Sequence, residues 1–192
     1  MRSGPEAIVQ PATLADLEAL PSHMKGELIE GVLYAMTRPR PRHQSVAASI
    51  VADYQPAFQR GLRGPGGWWI LPEPGIELPS APELSPDVAG WRRDRLPELP
   101  RDGAIPLVPD WVCEVLSPTT RRHDLRIKRP YYARVGVGWL WLVDSEALVV
   151  TAHRLHEGQW LEVGVFSDEA EARIPPFTEV AVDVSGWWPE PG

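Results

Sequence analysis

Apolar residues recur along this chain at two spacings, and the switches between them outline its elements. Thr13 followed by Asp16 resembles a capping box and predicts a short helix over about Leu14 to Leu20. GELIEGVLYAM reads as two apolar runs split at Gly31, a hairpin, after which Pro39 and Pro41 enforce an extended connection. From His43 to Arg60, the residues Val46, Ala47, Ile50, Val51, Tyr54 and Phe58 keep a helical period. Pro56 lies inside that stretch and is expected to kink or shorten the helix. Strand patterns follow at Trp68 to Glu73, Asp87 to Trp91 and Trp111 to Ser117. In the third, Trp111, Cys113 and Val115 share one face while Val112, Glu114 and Leu116 share the other. Apolar residues on both faces predict a central strand. A helix is expected within Asp124 to Val135, then a strand from Trp139 to Asp144. LVVTAHRL, QWLEVGVF and FTEVAVDV complete the pattern as a strand meander, with turns at Glu157-Gly158 and Pro175-Pro176. The order predicts an α/β (α+β) fold, a mixed sheet with helices packed against it, in one domain spanning 1–192.

Composition narrows the picture. Apolar residues at 43% and charged residues at 23% are ordinary for a globular protein. The 22 prolines cluster in the connections, which predicts short elements joined by stiff loops rather than disorder. A single cysteine, Cys113, excludes an internal disulfide and a Cys-rich zinc site, and it fits a reducing compartment. There is no apolar run of ~18 residues for a membrane span, and the N-terminal stretch lacks the unbroken apolar core of a signal peptide. The expectation is a cytoplasmic protein with no membrane partner. Neither GxxxxGK[ST] nor GxGxxG occurs, so nucleotide-dependent chemistry has no support.

The net charge of −7 argues against a surface that grips nucleic acid everywhere, but the distribution is uneven. Between Thr119 and Val135 stand Arg121, Arg122, Arg126, Lys128, Arg129 and Arg134, opposed only by Asp124. A second basic run, RPRPRH, contains Arg38, Arg40, Arg42 and His43. Either run alone reads as a solvated face.

Three residues carry the chemistry. Glu114 sits in a strand that is apolar on both faces, where a carboxylate is costly unless paired, hydrogen-bonded or bound to a metal. Near the end of its strand it could also simply reach solvent. Asp87 opens the strand PDVAGW, as a turn aspartate or as a second acid beside Glu114. Converging Asp and Glu oxygens suit Mg2+, which takes one or two carboxylates and keeps several waters. Lys128 offers a point charge of the kind a phosphodiester site needs. It also stands four residues after Asp124, at the spacing of an ordinary helix pair. Pro130 allows the helix to begin near itself, which would leave Lys128 on the lead-in.

Asp87 in PDVAGW, Glu114 in WVCEVLSPTT, the Asp124–Lys128 spacing, Tyr132 and GVGWLWLVD together resemble a bacterial family of restriction endonucleases. That family belongs to the PD-(D/E)xK nuclease superfamily, with the restriction-endonuclease-like fold. GELIEG ahead of RPRPRH is similar to its N-terminal pattern. The resemblance covers a core of about 27–155 and leaves a C-terminal strand extension of about 156–192. It implies a metal-dependent endonuclease acting on DNA as a homodimer, with Mg2+ as cofactor and Mn2+ able to substitute. Asp87 and Glu114 would hold the metal, and Lys128 would complete the catalytic set. The superfamily's usual lysine position, two residues after the acid, is here Leu116. The resemblance further implies supporting roles for Glu27, His43, Glu73, Asp124 and Tyr132, although Glu27 and Glu30 also read as hairpin surface charges. Arg40, Arg42, Arg121, Arg122 and Arg126 would contact nucleic-acid phosphates. Two other functions compete: a nuclease-fold DNA-binding or regulatory dimer with little or no turnover, and a structural interaction domain that binds no nucleic acid.

Overall fold

A computed structural model describes residues 6–8 and 11–189 of the chain. Two sheets and a few helices make up a mixed α+β architecture. The N-terminal part holds β1 (Glu6–Ile8), α1 (Leu14–Glu18), β2 (Met24–Ile29) and β3 (Val32–Thr37). Thr13 and Asp16 form the expected capping box at the start of α1. Glu30 and Gly31 both have positive φ, 53° and 75°, as the tight two-residue β2–β3 turn requires.

Then come α2 (Pro41–Tyr54), β4 (Trp68–Pro72), β5 (Ile76–Leu78), β6 (Ala81–Leu84), β7 (Val88–Arg92) and β8 (Trp111–Leu116). A helical segment follows, α3 (Arg121–His123) running through a π turn at Asp124–Lys128 into α4 (Arg129–Val135). The last strands are β9 (Trp139–Asp144), β10 (Val149–His156) and β11 (Gln159–Phe166). One sheet has the order β1-β3-β2-β6-β5 and the other β11-β10-β9-β8-β7-β4. In the larger sheet β8 and β9 are parallel, joined by the crossover helix, while its other neighbours are antiparallel.

Strand β8 is buried along its whole length, as its two apolar faces predict. Trp111, Cys113 and Val115 enter a cluster with Val46, Ile50, Tyr54 and Phe58 of the α2 region. Val112 and Leu116 enter another with Tyr131 and Tyr132 of α4 and with Ile29 and Leu84 of the smaller sheet. The six-stranded sheet is therefore a middle layer, and an acid on the Glu114 face lies under the α3–α4 segment. Gly90 in β7 shows how tightly this layer packs. A Cβ there would come within 3.1 Å of the Trp111 ring and 3.3 Å of the Trp68 ring. Gly90→Ala is expected to cost about 1–3 kcal/mol through overpacking, read as a lower urea midpoint with unchanged slope.

The α-helix shortens at Pro56 as expected, ending at Tyr54, and a π turn over Gln55–Gln59 carries the chain past the proline. Two expectations need correction. The third helix does not begin near Pro130 but at Arg121. A π turn with Arg129 N–H bonded to the Asp124 carbonyl lets the chain pass the proline, so Lys128 is helical rather than on a lead-in. FTEVAVDV forms no strand. Its apolar residues Phe177, Val182 and Val184 are buried against the core without a ladder, in a segment with one isolated bridge and a short 3-10 turn at Val184–Trp187. Trp141 Nε1 donates to the Pro175 carbonyl at 2.6 Å and Trp187 Nε1 to Asp53 at 2.7 Å, which pins this segment over α2. Strands β5 and β6 escaped the sequence pattern because they are short and Pro82 interrupts the second. Residues 190–192 of the expected C-terminal extension lie outside the described residues. Among the described residues no helix is long and apolar enough to cross a membrane.

Candidate active site

The site is assembled where the start of β7, the end of β8, the start of α2, strand β2 and the α3–α4 segment meet. Strands β7 and β8 pair Val88 with Cys113 and Ala89 with Val112. Continuing that antiparallel register by one step places Asp87 across from Glu114. The Asp87 side chain closes the ladder, its Oδ2 accepting from Val115 N–H at 2.7 Å. The same oxygen meets Nε2 of His43, the third residue of α2, at 3.0 Å. Both bonds fall on Oδ2, so the other oxygen of Asp87 is committed to neither.

Glu114 points the other way in chemical terms, toward donors on the crossover helix. Its Oε1 accepts from Tyr132 Oη at 2.6 Å and pairs with Lys128 Nζ at 2.7 Å. Again one oxygen takes both bonds. Glu27 differs, because both of its oxygens are engaged. Oε1 accepts from Ser85 N–H at 3.2 Å and pairs with Lys128 Nζ at 3.2 Å, while Oε2 lies 2.8 Å from His123 Nε2. At 1% exposure Glu27 is not a hairpin surface charge. Glu30 is exposed and pairs with Arg134 on the surface.

Asp124 and Lys128, four residues apart and so on one face of the helical segment, are both buried, with 4.0 Å between Nζ and Oδ1. Leu116 could not have served in place of the lysine, since it is packed into the apolar cluster beneath α4.

Burial and mutual repulsion dominate the electrostatics. Burial, reinforced by Asp87 and Glu27, outweighs Lys128 and raises the Glu114 carboxyl to about 7. Burial also pushes Asp124 well above the usual carboxylate range, against the attraction of Lys128. Burial opposes ionisation of Glu27 too, but Lys128 and the His123 bond overcome it and hold this acid down at about 2. Asp87 is lowered despite burial by the bond and charge of His43, and His43 is raised in return. Lys128 is held charged against burial by Glu114 and Glu27. Burial therefore keeps Asp124 protonated and Glu114 partly so, leaving the charges of Glu27 and Asp87 facing those of Lys128 and His43.

These groups line one pocket of about 50 Å3 together with Lys25, Arg38, Arg40, Ser85, Ser117, Thr119 and Thr120. That exceeds the ~10–15 Å3 one water needs. Asp87, Glu114, Lys128, Glu27, His43 and Asp124 are therefore brought together, with Tyr132 in contact through Glu114. Glu73 is not among them. It is half exposed at the turn after β4 and pairs with Lys25 at 3.2 Å on the rim. Of the basic residues, Arg40 lines the pocket, whereas Arg42 donates to the Pro189 carbonyl at 3.2 Å. Arg121 pairs with Asp144, and Arg122 and Arg126 are exposed on the helix outside the pocket lining. His123, Lys25 and Ser85 were missed. Nothing in the local sequence around Ser85 marks it, and His123 has no paired spacing with another ligand type to single it out.

Matching the chain to protein-family models gives the Uma2 family, described as "Putative restriction endonuclease", over residues 13–185. The chain belongs to the Uma2 family. A second finding agrees on the fold. The crystal structure at 1.96 Å of "a putative nuclease belonging to DUF820" from Anabaena variabilis ATCC 29413 superposes with a TM-score of 0.71. The alignment has 20% identity and covers 93% of this chain and 98% of that one. No curated protein matches the chain. The Uma2 assignment accounts for the restriction-endonuclease-like arrangement of β7, β8, the crossover helix and β9 around the acids.

Proposed function

We propose that this protein is a metal-dependent endonuclease that hydrolyses DNA phosphodiester bonds, with Asp87, Glu114 and Lys128 as its catalytic set. The observation that carries the reading is the uneven use of carboxylate oxygens. Asp87 and Glu114 each put their named bonds on one oxygen, in a buried pocket where burial and the neighbouring acids raise Glu114 to about 7. Glu27 has both oxygens bonded, which suits an anchor for Lys128 better than a metal ligand.

The residues present fit Mg2+ or Mn2+. Among the described residues no group of three or more His, Cys, Asp or Glu is disposed to hold a metal. That sits comfortably with Mg2+, which binds proteins through one or two carboxylates and keeps its remaining waters. When bound, such an ion activates water and neutralises charge on the scissile phosphate. Asp87 and Glu114 would hold it, and ionisation of Glu114 is the proton cost of loading it. His43 keeps Asp87 ionised and aimed. Tyr132 does the same for the orientation of Glu114. Lys128 brings positive charge to the place where negative charge grows during phosphoryl transfer. Arg38 and Arg40 at the pocket wall would take flanking phosphates.

Supercoiled plasmid incubated with Mg2+ or Mn2+ is expected to be nicked or linearised by the wild type and left intact by Asp87→Ala. Chelation with EDTA should stop the wild-type reaction. Equal cutting by wild type and Asp87→Ala would remove the assignment. Salt-sensitive DNA binding with no metal-dependent cutting would replace it with a binding protein on a nuclease fold.

A further inference from the structure

His123 does not itself line the pocket, yet it is joined to it through Glu27. Its ring is buried, walled by Tyr34 at 4.6 Å between ring centroids, and it is absent from the pocket lining. Nε2 lies 2.8 Å from Glu27 Oε2, while Nδ1 is buried with no hydrogen-bond partner among the described residues. Since Glu27 is ionised and can only accept, Nε2 carries the proton and donates. Lys128, five residues further along the same helix and the last residue of the π turn, takes the second oxygen of Glu27. One helix therefore grips both oxygens of a strand carboxylate with two different side chains. The chain of contacts runs His123, Glu27, Lys128, Glu114.

A lysine side chain carries about 2 kcal/mol of rotamer entropy, so an ammonium on a four-carbon stem needs an anchor of fixed orientation to act at one point. We propose that His123 is a positioning residue: its Nε2–H fixes the Glu27 carboxylate, which in turn holds the Lys128 ammonium against Glu114. The activity part of this proposal rests on the nuclease reading above, while the geometric part does not.

The test compares His123→Phe, which keeps a ring against Tyr34 and removes the donor, with His123→Gln, which restores an N–H donor. For a partner that orients an active-site side chain, a loss on the order of ten- to a hundredfold in kcat is expected in the Phe variant. KM for DNA should stay within about threefold, because substrate contacts are untouched. The Gln variant should recover most of the rate. Independently of activity, the 1H–15N signal of the Lys128 ammonium, visible when its protons are buried and hydrogen-bonded, should disappear in His123→Phe and return in His123→Gln.

Wild-type rates in both variants would overturn the proposal, as would equal losses in both at an unchanged urea midpoint. If the wild type itself does not cut DNA, the nuclease reading falls and the ammonium signal alone decides: its survival in His123→Phe rejects the positioning role. Should the Phe variant fail to fold, His123→Met carries the same comparison.

Discussion

Replacing Glu114 by Gln is expected to abolish metal-dependent cleavage and to make the metal-free protein more stable above pH 7. The loss of activity should reach ~10³-fold or more, because the change removes a metal-holding carboxylate and a fixed charge in a water-poor site. The gain in stability follows from linkage. The Glu114 carboxyl moves from 4.5 in the unfolded chain to about 7 in the fold. Between those values the folded state keeps a proton that the unfolded state has released. Stability therefore falls as pH rises through that window, by on the order of 3 kcal/mol. Gln has no proton to lose. Urea midpoints of wild type and Glu114→Gln should diverge from about pH 5 and run parallel again above pH 7. His43, also raised in the fold, lowers stability with rising pH in the same sense. Both proteins share most of that effect, so their difference reports Glu114. Cleavage surviving in the Gln variant, or parallel curves throughout, would contradict the role given to this acid.

Lys128→Met should produce the largest destabilisation, about 3–5 kcal/mol, because it leaves Glu27 and Glu114 buried without their cation. Cleavage should fall by at least ~10²-fold in the same variant. A second change separates the two effects. Adding Glu27→Gln removes the carboxylate most strongly ionised in the fold, so the double variant should regain much of the lost stability. It should regain no activity. Denaturant melts and plasmid cutting of the four proteins close the cycle. A single variant as stable as wild type would mean that the ammonium is not the countercharge of this pocket.

Part of this site was legible in the chain. Glu114 stood out because a carboxylate in a strand apolar on both faces needs a reason, and Asp87 because a second acid opened a neighbouring strand. The helix carrying Lys128 could be expected, but not its start. Helical spacing rules assume an α pitch, whereas two π turns, each next to a proline, shift the register of α2 and of the crossover helix. Glu27 read equally well as a surface charge, since hairpin patterning says nothing about what covers it. FTEVAVDV was misread for a related reason: alternation reports burial on one side, and pairing needs a partner strand.

By itself the sequence determined what is local or periodic. It specified the capping box of α1, the tight turn at Gly31, the central position of β8 and the exclusion of disulfide and nucleotide-loop chemistry. The bonding of Asp87 and Glu114 each through one oxygen, the grip of one helix on Glu27 and the rise of Glu114 to about 7 were decided only by the tertiary structure. Each depends on charges from strands and helices far apart in the chain meeting where water is excluded. Coulomb interaction there depends on distance and burial, and spacing along the sequence encodes neither.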